Sequence, residues 1–251
     1  MDISVVIIVK NGEKTIKNTL DSLKDFDDVV VYDNGSVDET IKICQNYSNV
    51  NLIQGDFIGF GPTKNKAVLY SKYNWIVILD SDEVLDSLLI NSLKNSKLDK
   101  NVVYKLNFNA YYKQKQIRYC GWSNQKIIRV FNKTKTSFND NILHENIMTQ
   151  GLKISSLKGN VKHYSYLNIS DFIQKTDKYS TLFAKQNRGL KKSSPLKAFL
   201  NAIYSFIKTY FFKRGFLDGY EGLLVAFSHM CTNFFKYIKL YEINKKDKNE
   251  T

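Results

Sequence analysis

Trp75-Ile76-Val77-Ile78-Leu79-Asp80-Ser81-Asp82-Glu83 is the stretch on which the fold turns. Its apolar run, rich in Ile and Val, reads as a strand buried on both faces, and three acidic groups follow at its carboxyl end. A buried strand that ends in carboxylates ends at water. Asp80 and Asp82, two apart, can lean into one crevice, where a hard divalent cation with oxygen ligands would offset their repulsion. The bland alternative is a loop whose Asp and Ser cap the next helix. The flanking chain has to separate the two.

That flanking chain alternates strand and helix. Residues 3–10 form a β-branched run, 13–23 carry Ile16, Leu20 and Leu23 at helical spacing, and 29–32 make a second strand that ends at Asp33. Residues 38–47 read as a short helix, 50–54 as a third strand, 63–71 as a helix and 75–79 as the fourth strand. The series implies an α/β fold with a mostly parallel central sheet flanked by helices. Ligands on such sheets bind beyond the carboxyl ends of the strands, which here hold Asn11, Asp33, Asp80 and Asp82. The first turn, Lys10-Asn11-Gly12-Glu13, has one glycine where a dinucleotide fingerprint needs three, and no Gly-rich loop ends in Gly-Lys-Ser/Thr. Dinucleotide and P-loop readings are therefore rejected.

With 251 residues, 43% of them hydrophobic, the chain can bury a full core. Cys44, Cys120 and Cys231 are far apart and form neither a disulfide framework nor a zinc spacing. A reducing, cytoplasmic setting suits them, and Asp2 stands where a signal peptide would carry positive charge. Of the net charge of +13, residues 185–251 contribute +8, so the basicity is concentrated in the tail. Charge alone does not choose among nucleic acid, an anionic membrane and an anionic substrate.

Four motifs in order carry a family resemblance: Val9-Lys10-Asn11-Gly12-Glu13-Lys14-Thr15-Ile16, Asp33-Asn34-Gly35-Ser36-Val37-Asp38-Glu39-Thr40, Gly61-Pro62-Thr63-Lys64-Asn65-Lys66-Ala67 and Leu79-Asp80-Ser81-Asp82-Glu83. Together they resemble glycosyltransferase family 2, whose members are inverting enzymes of GT-A fold that transfer a sugar from a nucleoside diphosphate. The resemblance implies that Asp33 accepts the uracil N–H of a UDP-sugar, that Asn11 and Glu13 line the nucleoside pocket, and that Asp80 contacts the ribose region. Asp82 would hold Mg²⁺ or Mn²⁺. Lys64 stands where many members have Arg, and a cation there suits a diphosphate as a point charge. Physically, a departing nucleoside diphosphate gains negative charge that such an ion offsets as a Lewis acid. Asp33-Asn34-Gly35-Ser36 also reads as a plain turn that caps a helix at Asp38.

From Val102 the pattern changes. Residues 102–109 and 126–131 read as strands of an antiparallel extension, with a loop closed by Cys120-Gly121-Trp122 between them. Tyr119 and Trp122 either stack on a sugar or pack. Then comes Asn141-Ile142-Leu143-His144-Glu145-Asn146, and at this stage the family carries its catalytic base. Glu145 is the candidate, with Asp140 and Asp171 as rivals, because an inverting displacement needs one base for the acceptor hydroxyl. Arg129 would pair with Glu145 or a phosphate. His144 would neighbour the base or the diphosphate, and His163 resembles the histidine that closes the donor site and ligates the metal.

The expected organisation is a catalytic domain over 1–167, in which residues 1–100 bind the nucleotide-sugar and residues 101–167 the acceptor, followed by a basic, aromatic helical appendage over 168–251. Residues 196–212 and 222–241 are interrupted by polar and charged groups, so each reads as amphipathic rather than spanning. They either pack on the catalytic domain or contact an anionic membrane. The stretch 213–222 resembles bacterial lipopolysaccharide inner-core glucosyltransferases that act on heptose. The resemblance thus implies glucose transfer from UDP-glucose to a lipooligosaccharide core sugar at the inner face of the cytoplasmic membrane. A polyprenyl phosphate or protein acceptor is the alternative. A basic nucleic-acid binder is the rival class, and the acidic strand ends argue against it.

Overall fold

The structure, a computed structural model, describes residues 2–140 and 145–250. The first hundred residues open with the expected alternation: β1 (Ile3–Val9), α1 (Ile16–Asp21), β2 (Val29–Asp33), α2 (Thr40–Gln45), β3 (Val50–Gln54), α3 (Phe60–Val68) and β4 (Trp75–Asp80). There follow β5 (Glu83–Leu85), α4 (Ser87–Asn95), β6 (Val102–Tyr112), β7 (Lys115–Gln116), β8 (Gln125–Asn132) and β9 (Lys153–Tyr166), then α5 (Ile169–Gln186), α6 (Pro195–Ile207) and α7 (Tyr220–Glu250). A π-helical turn over Lys208–Phe212 and a 3-10 turn over Gly215–Asp218 join α6 to α7.

The sheet runs in the order β3-β2-β1-β4-β8-β6-β9-β5. β3, β2, β1 and β4 are mutually parallel, and from β8 onward the named pairings are antiparallel. This is the mixed, helix-flanked sheet of a GT-A fold. Strand alternation explains the two cores. Val5, Ile7, Val29, Val31, Val77 and Leu79 face Ile16, Leu20, Leu89 and Leu93, whereas Val6, Val30, Ile76 and Ile78 face Ala67 and Val68 of α3. Helices α1 and α3 therefore cover opposite faces. The chain leaves β1 toward β2 and later returns to β1's other side as β4, so a crevice opens beyond the carboxyl ends of β1 and β4.

Four elements lie outside the sequence-based reading: β5, α4, β7 and β9. β5 has three residues, and β9 is mostly half-buried or exposed, so its fourteen residues carry little hydrophobic periodicity. The chain divides into two units, one of Met1–Asn109 and Asn124–Tyr164, the other of Ala110–Ser123 and Ser165–Thr251. The division differs from the expected one chiefly at 110–123, which groups with the later helices.

In the second unit, Asp218 is buried and accepts hydrogen bonds from the Arg118 and Tyr119 backbone N–H groups at 3.1 and 2.8 Å. A Cβ on Gly222 would lie 1.8 Å from the Gly215 carbonyl oxygen, so this residue lets two backbones meet. Much of the stretch 213–222 is thus a local clamp. Trp122 stacks with Tyr166 and Phe172 at centroid distances of 5.2 and 6.2 Å, which makes its role packing. Asp171, a rival to Glu145 in the sequence, accepts the N–H groups of Leu167 and Asn168 in the capping box of α5.

Trp122 Nε1 donates to His229 Nε2 at 3.2 Å, so the imidazole proton sits on Nδ1, 3.1 Å from Thr209 Oγ1. Burial, with Lys213 and Lys236 nearby, lowers the His229 pKa to about 4. The unfolded chain takes up this proton below its ordinary value, so the stability due to a neutral His229 is full above that value and is lost as pH falls toward 4. On going from pH 7 to pH 5, His229 should remove about 1–2 kcal/mol of stability. Thermal melts of wild type and His229→Gln at both pH values check this, with the variant expected to lose less.

Candidate functional site

Each loop at the carboxyl edge of the parallel strands is pinned by the next. Asn11, at φ 55°, donates its backbone N–H to Ser36 Oγ at 2.8 Å and accepts the Val37 N–H on its amide oxygen at 2.9 Å. Glu13 accepts the Glu39 N–H at 3.2 Å. These two side chains therefore stitch the loop after β1 to the loop after β2. Asp33 is fully buried, and its Oδ1 accepts the N–H groups of Gly35 and Ser36 at 3.0 and 2.9 Å. Its Oδ2 is buried with no hydrogen-bond partner among the described residues. The turn reading and a binding reading of Asp33 meet here: one oxygen builds the turn and the other lacks a donor.

The acidic end of β4 is organised by two cations. Arg129, on β8, places one guanidinium nitrogen 3.0 Å from Asp80 Oδ2 and 2.8 Å from Glu83 Oε1. Glu83 also accepts the Asp80 N–H at 2.9 Å. Burial opposes the charge on Asp80, but Arg129 and Lys64 outweigh it and hold this carboxyl well below the usual carboxylate range. Burial pushes Glu83 the other way despite Arg129, with Asp80 adding to the rise. The sequence points Arg129 toward Glu145 or a phosphate; the β4–β8 register, Val77 opposite Val130, brings its strand to the end of β4, where its ion pairs are with Asp80 and Glu83.

Glu145 has another partner. Lys64 is 3% exposed, with its ammonium 2.7 Å from Glu145 Oε1, 3.4 Å from Asp80 Oδ1 and 5.6 Å from the centre of the Phe138 ring. The next residue, Asn65, exchanges two hydrogen bonds of 2.9 Å with the Phe138 backbone. One turn of α3 thus supplies both the cation that holds Glu145 and the amide that fixes the Phe138 backbone. Nothing in the sequence pattern singles out Asn65 or Phe138, although Asn65 stands inside the third of the four motifs. Beside them lies a cavity of about 310 Å³, lined in part by Lys64, Lys105, Lys126, Arg129 and Glu145. His144 falls outside the described residues.

Asp82 and His163 come together as the sequence suggests. His163 Nε2 is 3.4 Å from Asp82 Oδ2, and Tyr164 N–H bonds to the Asp82 carbonyl at 2.9 Å. Burial works against a charged His163, but Asp82, Glu83 and Asp80 outweigh it and raise its pKa. β5 and β9 pair with Glu83 opposite His163, so Glu83 joins the group. One ligand atom from each of Asp82, Glu83 and His163 lies within 4.8 Å of the others. Two carboxylates and an imidazole suit Mn²⁺ or Mg²⁺. Glu83 is already held by Arg129 and the Asp80 N–H, which leaves Asp82 and His163 better able to turn to an ion.

Comparison with known proteins places this geometry. The model of Glycosyl transferase family 2 matches residues 4–152. An uncharacterised glycosyltransferase of Rickettsia typhi is 28% identical over 98% of this chain and 89% of its own length. The lipopolysaccharide core biosynthesis glycosyltransferase LpsC of Rhizobium meliloti is 24% identical over 96% of this chain and 93% of its own. Among solved structures, S. aureus TarS in complex with UDP-GlcNAc is 15% identical, with a TM-score of 0.47 over 100% of this chain and 93% of that one. The family match spans the four motifs, the acidic end of β4, Arg129 and Glu145, and the chain belongs to glycosyltransferase family 2.

Proposed function

We propose that this enzyme transfers a hexose, glucose from UDP-glucose, with inversion onto an inner-core sugar of a bacterial lipooligosaccharide, a heptose. It does so in the cytoplasm, as a peripheral protein at the inner face of the cytoplasmic membrane. The full-length likeness to a lipopolysaccharide core transferase supports the acceptor class. The observation that carries the reading is Lys64, a buried ammonium between Asp80 at the donor strand end and Glu145 at a sugar-sized cavity.

In this reading Asp33 takes the uracil imide N–H on the oxygen that lacks a partner, and the turn around it opens to admit the base. Asn11 and Glu13 hold the loops that border the nucleoside, and Asp80, oriented by Arg129, faces the ribose region. Asp82 and His163 would hold Mg²⁺ or Mn²⁺, which when bound supplies Lewis acidity toward the diphosphate. The diphosphate competes for the Lys64 ammonium and so draws it from Glu145. Glu145 then takes the proton of the acceptor hydroxyl as its oxygen bonds to the anomeric carbon. The bond from that carbon to the phosphate oxygen breaks, and UDP leaves with the electron pair.

Turnover of UDP-glucose with a heptose-bearing core acceptor should require added Mg²⁺ or Mn²⁺. Asp82→Ala should abolish metal-dependent transfer while leaving the melting temperature near that of wild type, because this half-exposed side chain adds little to the core. Full wild-type activity in excess chelator would overturn the metal assignment.

Glu145→Gln keeps shape and hydrogen bonding but cannot accept the proton, so turnover should fall roughly 10²–10⁴-fold. UDP affinity, measured by calorimetry on the same preparation, should hold, because the lost interaction belongs to the transition state. Unchanged turnover would move the base elsewhere, and loss of both quantities would make Glu145 structural.

A further inference from the structure

Helix α6 is amphipathic in the inverted sense. Ala198 and Ala202 are buried against the rest of its unit and Thr209 continues that line, so the packed side is made of small residues. The large apolar residues point away: Leu196, Phe199, Leu200, Ile203, Tyr204 and Ile207 are between 39% and 67% exposed. Their spacing by three and four keeps them on one face. Phe211 and Phe212 extend this exposure to 54% and 74% beyond the helix, and Phe216 and Leu217 follow in the next turn. A helix that packs through Ala and shows Phe, Leu and Ile to the outside presents the face that water disfavours.

Along the sequence, the charge that flanks this face has one sign. Between Lys178 and Leu217 the sequence has nine Lys and Arg and no Asp or Glu. Lys191, Lys192, Lys208 and Arg214 are exposed at the two ends of the stripe. The acids that follow in sequence are engaged: Asp218 is buried on the 118–119 backbone and Glu221 is paired with Lys115 at 2.5 Å. Among the described residues, no helix is long and apolar enough to cross a membrane.

We propose that α6, with the aromatic turn that follows it, is the surface by which this enzyme docks on an anionic lipid leaflet. The helix lies in the interface, its Leu, Phe and Ile side chains enter the acyl boundary, and the basic residues at its ends meet lipid phosphates. The same face opposed to itself in a second copy would bring like charges together. The inference deepens the peripheral-membrane aspect of the function proposed above and rests on it.

The test is sedimentation of the full chain with vesicles of phosphatidylcholine alone and of phosphatidylcholine with phosphatidylglycerol, at low and high salt. Wild type should bind the anionic vesicles, more weakly as salt rises, and leave the neutral ones largely free. Phe199→Gln with Phe212→Gln, and separately Lys208→Glu with Arg214→Glu, should each weaken binding on the order of tenfold or more. These side chains are exposed, so the variants should melt like wild type. No binding of wild type to anionic vesicles, or equal binding by both variants, overturns the proposal. So does a lipid-free dimer that the Phe variant dissociates, which makes the face a contact between copies. UDP affinity is measured on every sample: its absence in wild type would strike the donor reading, and its persistence in variants that no longer bind lipid assigns the loss to the docking face.

Discussion

Everything at the site depends on how three carboxylates are kept together at the end of a buried strand. Asp80, Asp82 and Glu83 would repel one another, and two of them would be driven toward the neutral form by burial. Arg129 faces Asp80 and Glu83 at once, which keeps Asp80 charged and limits, without cancelling, the rise that burial imposes on Glu83. Removing one partner of a buried ion pair costs roughly 3–5 kcal/mol, whereas the intact pair adds little net stability. The arginine is therefore better understood as fixing charge and direction than as strengthening the fold. β8 delivers it because that strand lies antiparallel against β4, so the antiparallel half of the sheet supplies the counter-charge for the parallel half.

A second consequence follows from α3. Lys64 and Asn65 are adjacent, yet one addresses carboxylates and the other a backbone. Movement of this helix turn toward a bound phosphate would be felt by the segment that carries Glu145. An Arg at the position of Lys64 would hold a carboxylate through a planar fork, but an ammonium makes a non-directional contact that is more readily exchanged.

The parallel half of the sheet was legible because each strand is an apolar run and each helix keeps its period, as Ile16 and Leu20 show. The site's membership was legible where a motif ends a strand, as for Asp33, Asp80 and Asp82. Partner choice was not. Lys64 and Glu145 are 81 positions apart, and which cation meets which carboxylate depends on how distant elements pack and register, which no local pattern encodes. β9 escaped for another reason: along Lys153–Tyr166 only Val161 is buried, so the signal that marks strands is nearly absent. The pattern of α6 showed an amphipathic helix, but period alone does not say which side is packed; Ala198 and Ala202 decided that.

The sheet order also governs how the nascent chain can fold. β4 pairs with β1 on one side, and its other neighbour, β8, lies about fifty residues further along the chain. During synthesis at about 5–20 residues per second, β4 has an open edge for roughly 3–10 s before β8 can close it. That edge belongs to a continuous apolar run, the kind of strand that pairs readily with a foreign chain. The acidic residues just past it put negative charge beside the exposed edge, and the same groups that later build the site would discourage that pairing.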